Sequence, residues 1–423
     1  MPIRSLPVVP DLDQLKHQAK DLLRALHKGE TNAVAELREF HPDNIDPTLA
    51  KLADAQHVLA RSYQASSWTR LVQAVQLVDA IWKDDIDVVR ELATRNPNLL
   101  HEMTLIRKDS NWGPPMSYAA NVGRDRIIQL LHSMGATDLS YALERAALQG
   151  KIGTAKMLHA MMGSPLPPPG ALGGPAYTLN SAGTRMLLEA GAPVKTPNGD
   201  RLAPVDVVLE TDSRKPTEKH AILEMYEEFG FALPDTPTMA LHRGRIDLLE
   251  EQLRRDPAML TRRLTHKEIY PSEMGCRDEV DATVGTPLGG TTLLHMCVDY
   301  DEMEIARWLL EKGADVNTPS MIGANGFGGY TALFNTVVSQ PNFWMNYQNR
   351  GASSAPFAEL LLSHRANPNV RASVWKRLHP GHGDSTRHEY RDVTPLGWGQ
   401  QFHARVFVSA RAMQLITDAG GTE

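Results

Sequence analysis

The stretch AIWKDDIDVVRELATRNPNLL (80–100) returns 160 positions later, without a gap, as ALHRGRIDLLEEQLRRDPAML (240–260). Ile, Asp, Glu, Arg, Pro and the closing Leu coincide. A chain that copies a helix-patterned segment in this way is built from repeated units, each too small to bury its own apolar face and therefore stacked on its neighbours. A second version of the unit is WGPPMSYAANVGRDRIIQLLHSMGA, and it reappears as TTLLHMCVDYDEMEIARWLLEKGADVN. Looser forms are GTRMLLEAGAPV, PFAELLLSHRANPNV and VTPLGWGQQFHARVFVSARAMQLITDAGG. Each reads as turn, short helix, turn, longer helix and a glycine stop.

These residues resemble the ankyrin repeat. Thr292, Leu293, Leu294 and His295 stand where that family places Thr-Pro-Leu-His, Ile305 to Leu310 fill the second helix, and GADVN forms the exit. The resemblance is closest at 112–137 and 289–317 and runs from roughly 75 to 420. It implies an all-α, ankyrin-type helical solenoid of about nine degenerate repeats over 75–423, where the consensus period is 33 residues. Before it, DLDQLKHQAKDLLRAL and LAKLADAQHVLARSY carry apolar residues at helical spacing, and a Ser-Ser pair offers an N-cap to WTRLVQAVQLVDAIW. Residues 1–74 are therefore expected to form an N-terminal helical cap, similar to the helices that precede the repeats of some bacterial ankyrin proteins.

Composition narrows the partners. A formal net charge of -6 gives no sequence-wide attraction for phosphates, so nucleic acid is not expected. No apolar run approaches the length of a membrane span, and the proline-broken start lacks a leader's apolar core. Two cysteines, Cys276 and Cys297, make no disulfide framework, so a reducing cytoplasm is the expected compartment; a monomer is expected.

Long insertions interrupt the array at 264–290, 319–330, 339–356 and 372–392. All but 339–356, which separates the two helices of one repeat, are expected to project as finger loops along one edge. The last, with LHPGHGDSTRHEYRD, gathers histidines, carboxylates and arginines. An acid–base reading assigns catalytic roles to His388, Glu389, Asp384 and Asp392, with His266, Glu268, Glu273 and Asp278 facing them from the first finger. A recognition reading assigns ligand contacts to Arg377, His379, His382, Arg387, Tyr390 and Arg391, with Trp344 and Trp398 as an aromatic surface. Between His364 and Arg391 six Lys or Arg face only Asp384 and Glu389, which favours an anionic ligand. The plain alternative is charge balance against the acidic first finger, with Glu268, Glu273, Asp278, Glu279 and Asp281. Histidine spacings of three and six match no zinc module, so no metal and no cofactor are expected. GANGFGG lacks the Lys-Ser/Thr of a phosphate loop and reads as a tight finger turn. His295 reads as a structural hydrogen-bonder.

The leading expectation is a recognition scaffold that binds a protein or a small anionic ligand through its concave face and C-terminal fingers. The alternative is a hydrolase whose His/carboxylate site is assembled by those fingers over the groove.

Overall fold

A computed structural model describes residues 4–211, 214–278, 288–338, 354–377 and 386–423. The chain divides into two compact units, Met1–Leu166 and Pro167–Glu423.

The first unit opens with the helices Leu12–His27, Thr31–Phe40 and Leu52–Ser62, which bury Leu22, Leu26, Leu37 and Val58 against one another. The helix Trp68–Lys83 follows, with Ser67 capping it by accepting from the Arg70 N–H at 3.1 Å. This helix spans the 74/75 boundary inferred from sequence, and it is already the first member of a pair with Ile86–Arg95. Two more pairs complete the unit, Pro115–Val122 with Asp125–Ser133 and Leu139–Leu148 with Ile152–Met161.

The second unit continues the pattern. Its pairs are Gly173–Tyr177 with Ser181–Glu189, Val205–Glu210 with Pro216–Glu228, and Pro237–His242 with Ile246–Arg255. Then come Leu293–Tyr300 with Met303–Glu311, Ala332–Val337 with Pro356–Ser363, and Pro395–Gln401 with Ala410–Asp418. The described residues thus contain nine helix pairs. The first helices of the last four pairs lie side by side, Pro237–His242 on Leu293–Tyr300, that on Ala332–Val337, and that on Pro395–Gln401. They enclose a core that includes Leu241, Leu294, Leu333, Phe334 and Trp398.

The 160-residue copy is structural. Ile86–Arg95 and the 3-10 turn Pro97–Leu100 have counterparts in Ile246–Arg255 and Pro257–Leu260. Each helix is preceded by a left-handed residue, Asp84 in one copy and Gly244 in the other, with φ of 62° and 68°. Glycine is required only in the second, where a Cβ would lie 2.3 Å from the His220 ring.

The Thr-Leu-Leu-His signature at 292–295 is a capping box that also joins repeats. His295 is fully buried; its Nδ1 lies 2.9 Å from the Thr292 hydroxyl, and its Nε2 lies 3.0 Å from the Tyr330 carbonyl of the next finger. The carbonyl can only accept, so Nε2 carries the proton and Nδ1 accepts from Thr292. Burial depresses the imidazole pKa to about 4, which keeps it in this neutral tautomer.

Candidate functional site: the C-terminal finger row

The described residues of the insertion at 372–392 form two paired strands of a hairpin, not an irregular loop. Strands β1 (Ala372–Arg377) and β2 (Arg387–Val393) pair antiparallel, with Trp375 opposite Glu389, Lys376 opposite His388 and Arg377 opposite Arg387. The sequence explains the strands: Val374, Trp375, Tyr390 and Val393 are β-branched or aromatic, and β1 alternates buried with half-buried positions.

A bulge sits at the base, where the register slips between Ala372 and Val374 and Asp392 takes a left-handed φ of 50°. The extra residue lets Tyr390 and Val393 both turn inward while Arg391 and Asp392 stay exposed. Arg371 holds the Asp392 carboxylate at 3.0 Å and also donates to its carbonyl, and the Asp392 N–H donates to the Ser373 hydroxyl. Asp392 is thereby a bulge residue tied to its own hairpin.

Successive fingers touch through their backbones. Leu264 and Thr291 bridge the two sides of the first finger, and the Met321 N–H of the second donates to the Gly290 carbonyl at 2.8 Å. The Gly328 N–H in turn donates to the Ser373 carbonyl of β1 at 2.7 Å. GANGFGG is the tight turn anticipated: Gly326, Gly328 and Gly329 have positive φ, and a Cβ on Gly328 would meet the Met321 carbonyl oxygen.

Period-two geometry then sorts the candidate residues by face. His388 and Tyr390 lie on the inner side. The His388 ring stacks on His403 with centroids 3.5 Å apart, and the Tyr390 hydroxyl lies 2.7 Å from His403 Nδ1. Glu389 lies on the outer side with Arg387 and Arg391, which contact its carboxylate at 3.1 and 3.0 Å. Adjacent strand residues point to opposite faces, so His388 and Glu389 do not form the acid–base pair expected of them. Asp384, His379, His382 and Trp344 lie outside the described residues. Trp398 is not on a ligand surface: it is fully buried, with Phe334 and Phe402 at 6.0 and 6.2 Å.

The outer face is an arginine–aromatic assembly. The Arg387 guanidinium lies 4.5 Å from the Trp375 ring and 5.0 Å from Phe327, while Arg391 lies 4.3 Å from Phe327. Phe327 is contributed by the second finger, so the cation–π contacts fasten one finger to the next. Of the acidic first finger expected to balance these charges, Glu279 and Asp281 lie outside the described residues. Glu268 pairs with Arg262 at 3.1 Å and caps Thr265, and Arg387, Arg391 and Arg371 find carboxylates within their own hairpin. Among the described residues, no group of three His, Cys, Asp or Glu is placed to hold a metal ion.

A second polar cluster, which sequence reasoning missed, is buried in the same unit. Arg214 donates to the Asp299 carboxylate at 3.1 Å, and the Lys219 ammonium lies 2.8 Å from Glu302, both members of that second pair being almost fully buried. His220 reaches the same Glu302 carboxylate at 2.9 Å. Tyr300 lies between the cations, its ring 4.7 Å from Arg214 and 4.6 Å from Lys219, with His242 edge-on at 4.7 Å. The Tyr300 hydroxyl donates to the Leu209 carbonyl, so the hydrogen bond it shares with Tyr270 is donated by Tyr270. Burial raises the Asp299 carboxyl despite Arg214, and burial, reinforced by Lys219, holds His242 well below its ordinary pKa. Burial would also raise Glu302, but Lys219 and His220 together keep it below the ordinary carboxylate value. The available signal was Asp301-Glu302, acidic residues at the turn between paired helices.

The ankyrin-repeat family model matches residues 289–320, the segment containing the His295 capping box. Solved structures similar to the chain include the human ASB11 ankyrin repeat domain. It is 18% identical, with 66% of this chain and 98% of that chain covered and a TM-score of 0.28. Another is the ankyrin repeat domain of Bcl-3, a member of the IkappaB protein family, at 17% identity, 65% and 97% coverage and a TM-score of 0.23. No curated protein matches the sequence. The matched segment is an ankyrin repeat, and the recurring helix pairs give the chain an all-α fold of ankyrin type. Ankyrin repeats are in general scaffolds for protein–protein interaction. No helix among the described residues is long and apolar enough to cross a membrane.

Proposed function

We propose that the chain is a protein-recognition scaffold whose contact surface is the row of C-terminal fingers. The observation that carries this reading is the outer face of the hairpin, where Arg377, Arg387 and Arg391 are displayed beside Trp375 and Phe327. Among the described residues, three arginines share that face with one carboxylate, Glu389, in a chain of net charge -6. Arginine on aromatic rings is the composition of interface centres, since the rings bury area at small entropic cost and the guanidinium adds directed hydrogen bonds. The second finger adds Met321 and Ile322, 59% and 68% exposed, which a folded chain does not display for its own stability.

A photo-crosslinking residue at Met321 tests the proposal, with one at exposed Arg307, on the second helix of a neighbouring pair, as control. Protein adducts are expected from position 321 and not from 307. Equal labelling at both positions, or none at 321, refutes the assignment of the surface.

A further inference from the structure

We propose that the finger face takes an extended acidic polypeptide segment bearing a bulky aliphatic side chain, and that Glu389 occupies the place of the segment's carboxylate until it arrives. This rests on the finger row being the contact surface. Arg387 and Arg391 converge on Glu389 from either side, at 3.1 and 3.0 Å, with their guanidinium carbons 4.5 Å from the Trp375 ring and 4.3 Å from the Phe327 ring. A guanidinium so held has lost its rotamer freedom before any partner binds, and its forked N–H groups match a carboxylate in two-point contact. The site is therefore already arranged around a carboxylate, and the one it holds is its own.

Glu389 is 40% exposed, so its two ion pairs are solvent-screened and weak enough to exchange. Arg377, opposite Arg387 in the register, adds a third cation to the same face. The neighbouring aliphatics give the partner its second character. Met321 and Ile322 belong to the finger that supplies Phe327, and the Met321 carbonyl lies against Gly328 in that turn. An extended strand presents side chains to one face at every second residue, which suits carboxylates spaced along the arginines with a Leu or Ile at the exposed pair.

Polyphosphate chains suit the face less well. The protein is acidic overall, the cations are few, and exposed aliphatics make no contact with a phosphate backbone.

Fluorescence anisotropy on the full chain tests the inference, with a fluorescein-labelled peptide in which aspartates and glutamates flank a leucine. Controls are its Asn/Gln analogue and a single-stranded oligothymidylate. The acidic peptide is expected to bind, its affinity falling with salt, and the Arg387→Ala/Arg391→Ala variant should weaken it about tenfold or more. The distinguishing result is Glu389→Gln, which should strengthen binding several-fold because it releases both guanidiniums, with an unchanged melting temperature confirming the fold. Arg391→Lys should recover only part of the affinity, since an ammonium lacks the fork. The inference is overturned if Glu389→Gln binds no tighter, if the amide analogue binds equally, or if the oligonucleotide binds in preference. Any of these leaves the contact surface itself standing wherever position 321 still crosslinks to protein, so the two failures are distinguishable.

Discussion

The two buried histidines of the second unit make its stability sensitive to mild acid, and His295 sets the scale. Its imidazole is neutral in the fold with a pKa of about 4, against 6.5 when unfolded. Below 6.5 the unfolded chain binds a proton that the folded chain refuses, so stability is complete above 6.5 and declines as pH falls toward 4. At pH 5 the loss from this residue alone is about 2 kcal/mol, from roughly 1.4 kcal/mol per pH unit once the unfolded histidine is protonated. His242, held below its ordinary pKa by burial and Lys219, acts in the same direction. Asp299, whose carboxyl is raised, opposes them, because its protonation favours the fold. Its effect lies above the ordinary carboxylate value, where the folded carboxyl is protonated and the unfolded one is not, so it offsets part of the acid loss and the comparison with His295→Asn isolates the histidine's share. Urea titrations at pH 7 and pH 5, followed by hydrogen exchange in the helix Leu293–Tyr300, read this directly. His295→Asn should be less stable at pH 7, having lost the bond to Tyr330, yet its pH dependence should be shallower than that of the parent. An unchanged slope in the variant, or an imidazole titrating near 6.5 by NMR in the folded protein, refutes the reasoning.

Other expectations follow from single contacts. Lys219→Met takes the buried ammonium from the almost fully buried Glu302 carboxylate and leaves His220 to hold it, which should cost about 3 kcal/mol, whereas Lys219→Met with Glu302→Leu should recover much of that; a double-mutant cycle in urea checks it. Gly328→Ala places a Cβ against the Met321 carbonyl at a φ of 127° and should cost about 2 kcal/mol, with faster hydrogen exchange over 320–330; normal protection there would contradict the turn geometry. Removing residues 1–66 uncovers the apolar side of Trp68–Lys83, against which Leu12–His27 and Leu52–Ser62 pack, so the truncated chain should aggregate on size exclusion; a monomer with unaltered unfolding would deny these helices a capping role.

The paired helices were legible because their signals are local. Periodic apolar residues, the Ser67 cap and the left-handed stops at Gly135 and Gly313 all lie within a turn or two of what they determine. The copy at 80–100 and 240–260 was legible as a repeat, and the structure adds the 3-10 turn that both copies share. The hairpin was harder: ASVWKR and RHEYRDV carry strand alternation, but that alternation is what separates His388 from Glu389, so a reading by residue type brought together side chains that the pleat sends apart. Trp398 was misplaced for a related reason, since an aromatic in a short first helix is core or surface according to its neighbours, and here Phe334 and Phe402 enclose it. The Arg214, Lys219 and His220 cluster left almost no trace, because its partners are 82 to 85 positions away and nothing local requires them.

That cluster alters how the array can be edited. Arrays of this kind are commonly treated as cassettes, in which a unit can be lifted out or duplicated if its two flanking surfaces match. The unit Pro237–Arg255 does not meet that condition. His220 lies against Gly244 of this unit, where a Cβ would collide with its ring, and reaches Glu302 beyond it, while Arg214 likewise joins Asp299 on the far side of the unit in sequence. Deleting or doubling the middle unit would shift the far carboxylates out of reach and leave buried cations without partners. The stretch from Arg214 to Glu302 therefore has to be edited as one block, its length in helix pairs set by the reach of side chains that do not belong to its middle.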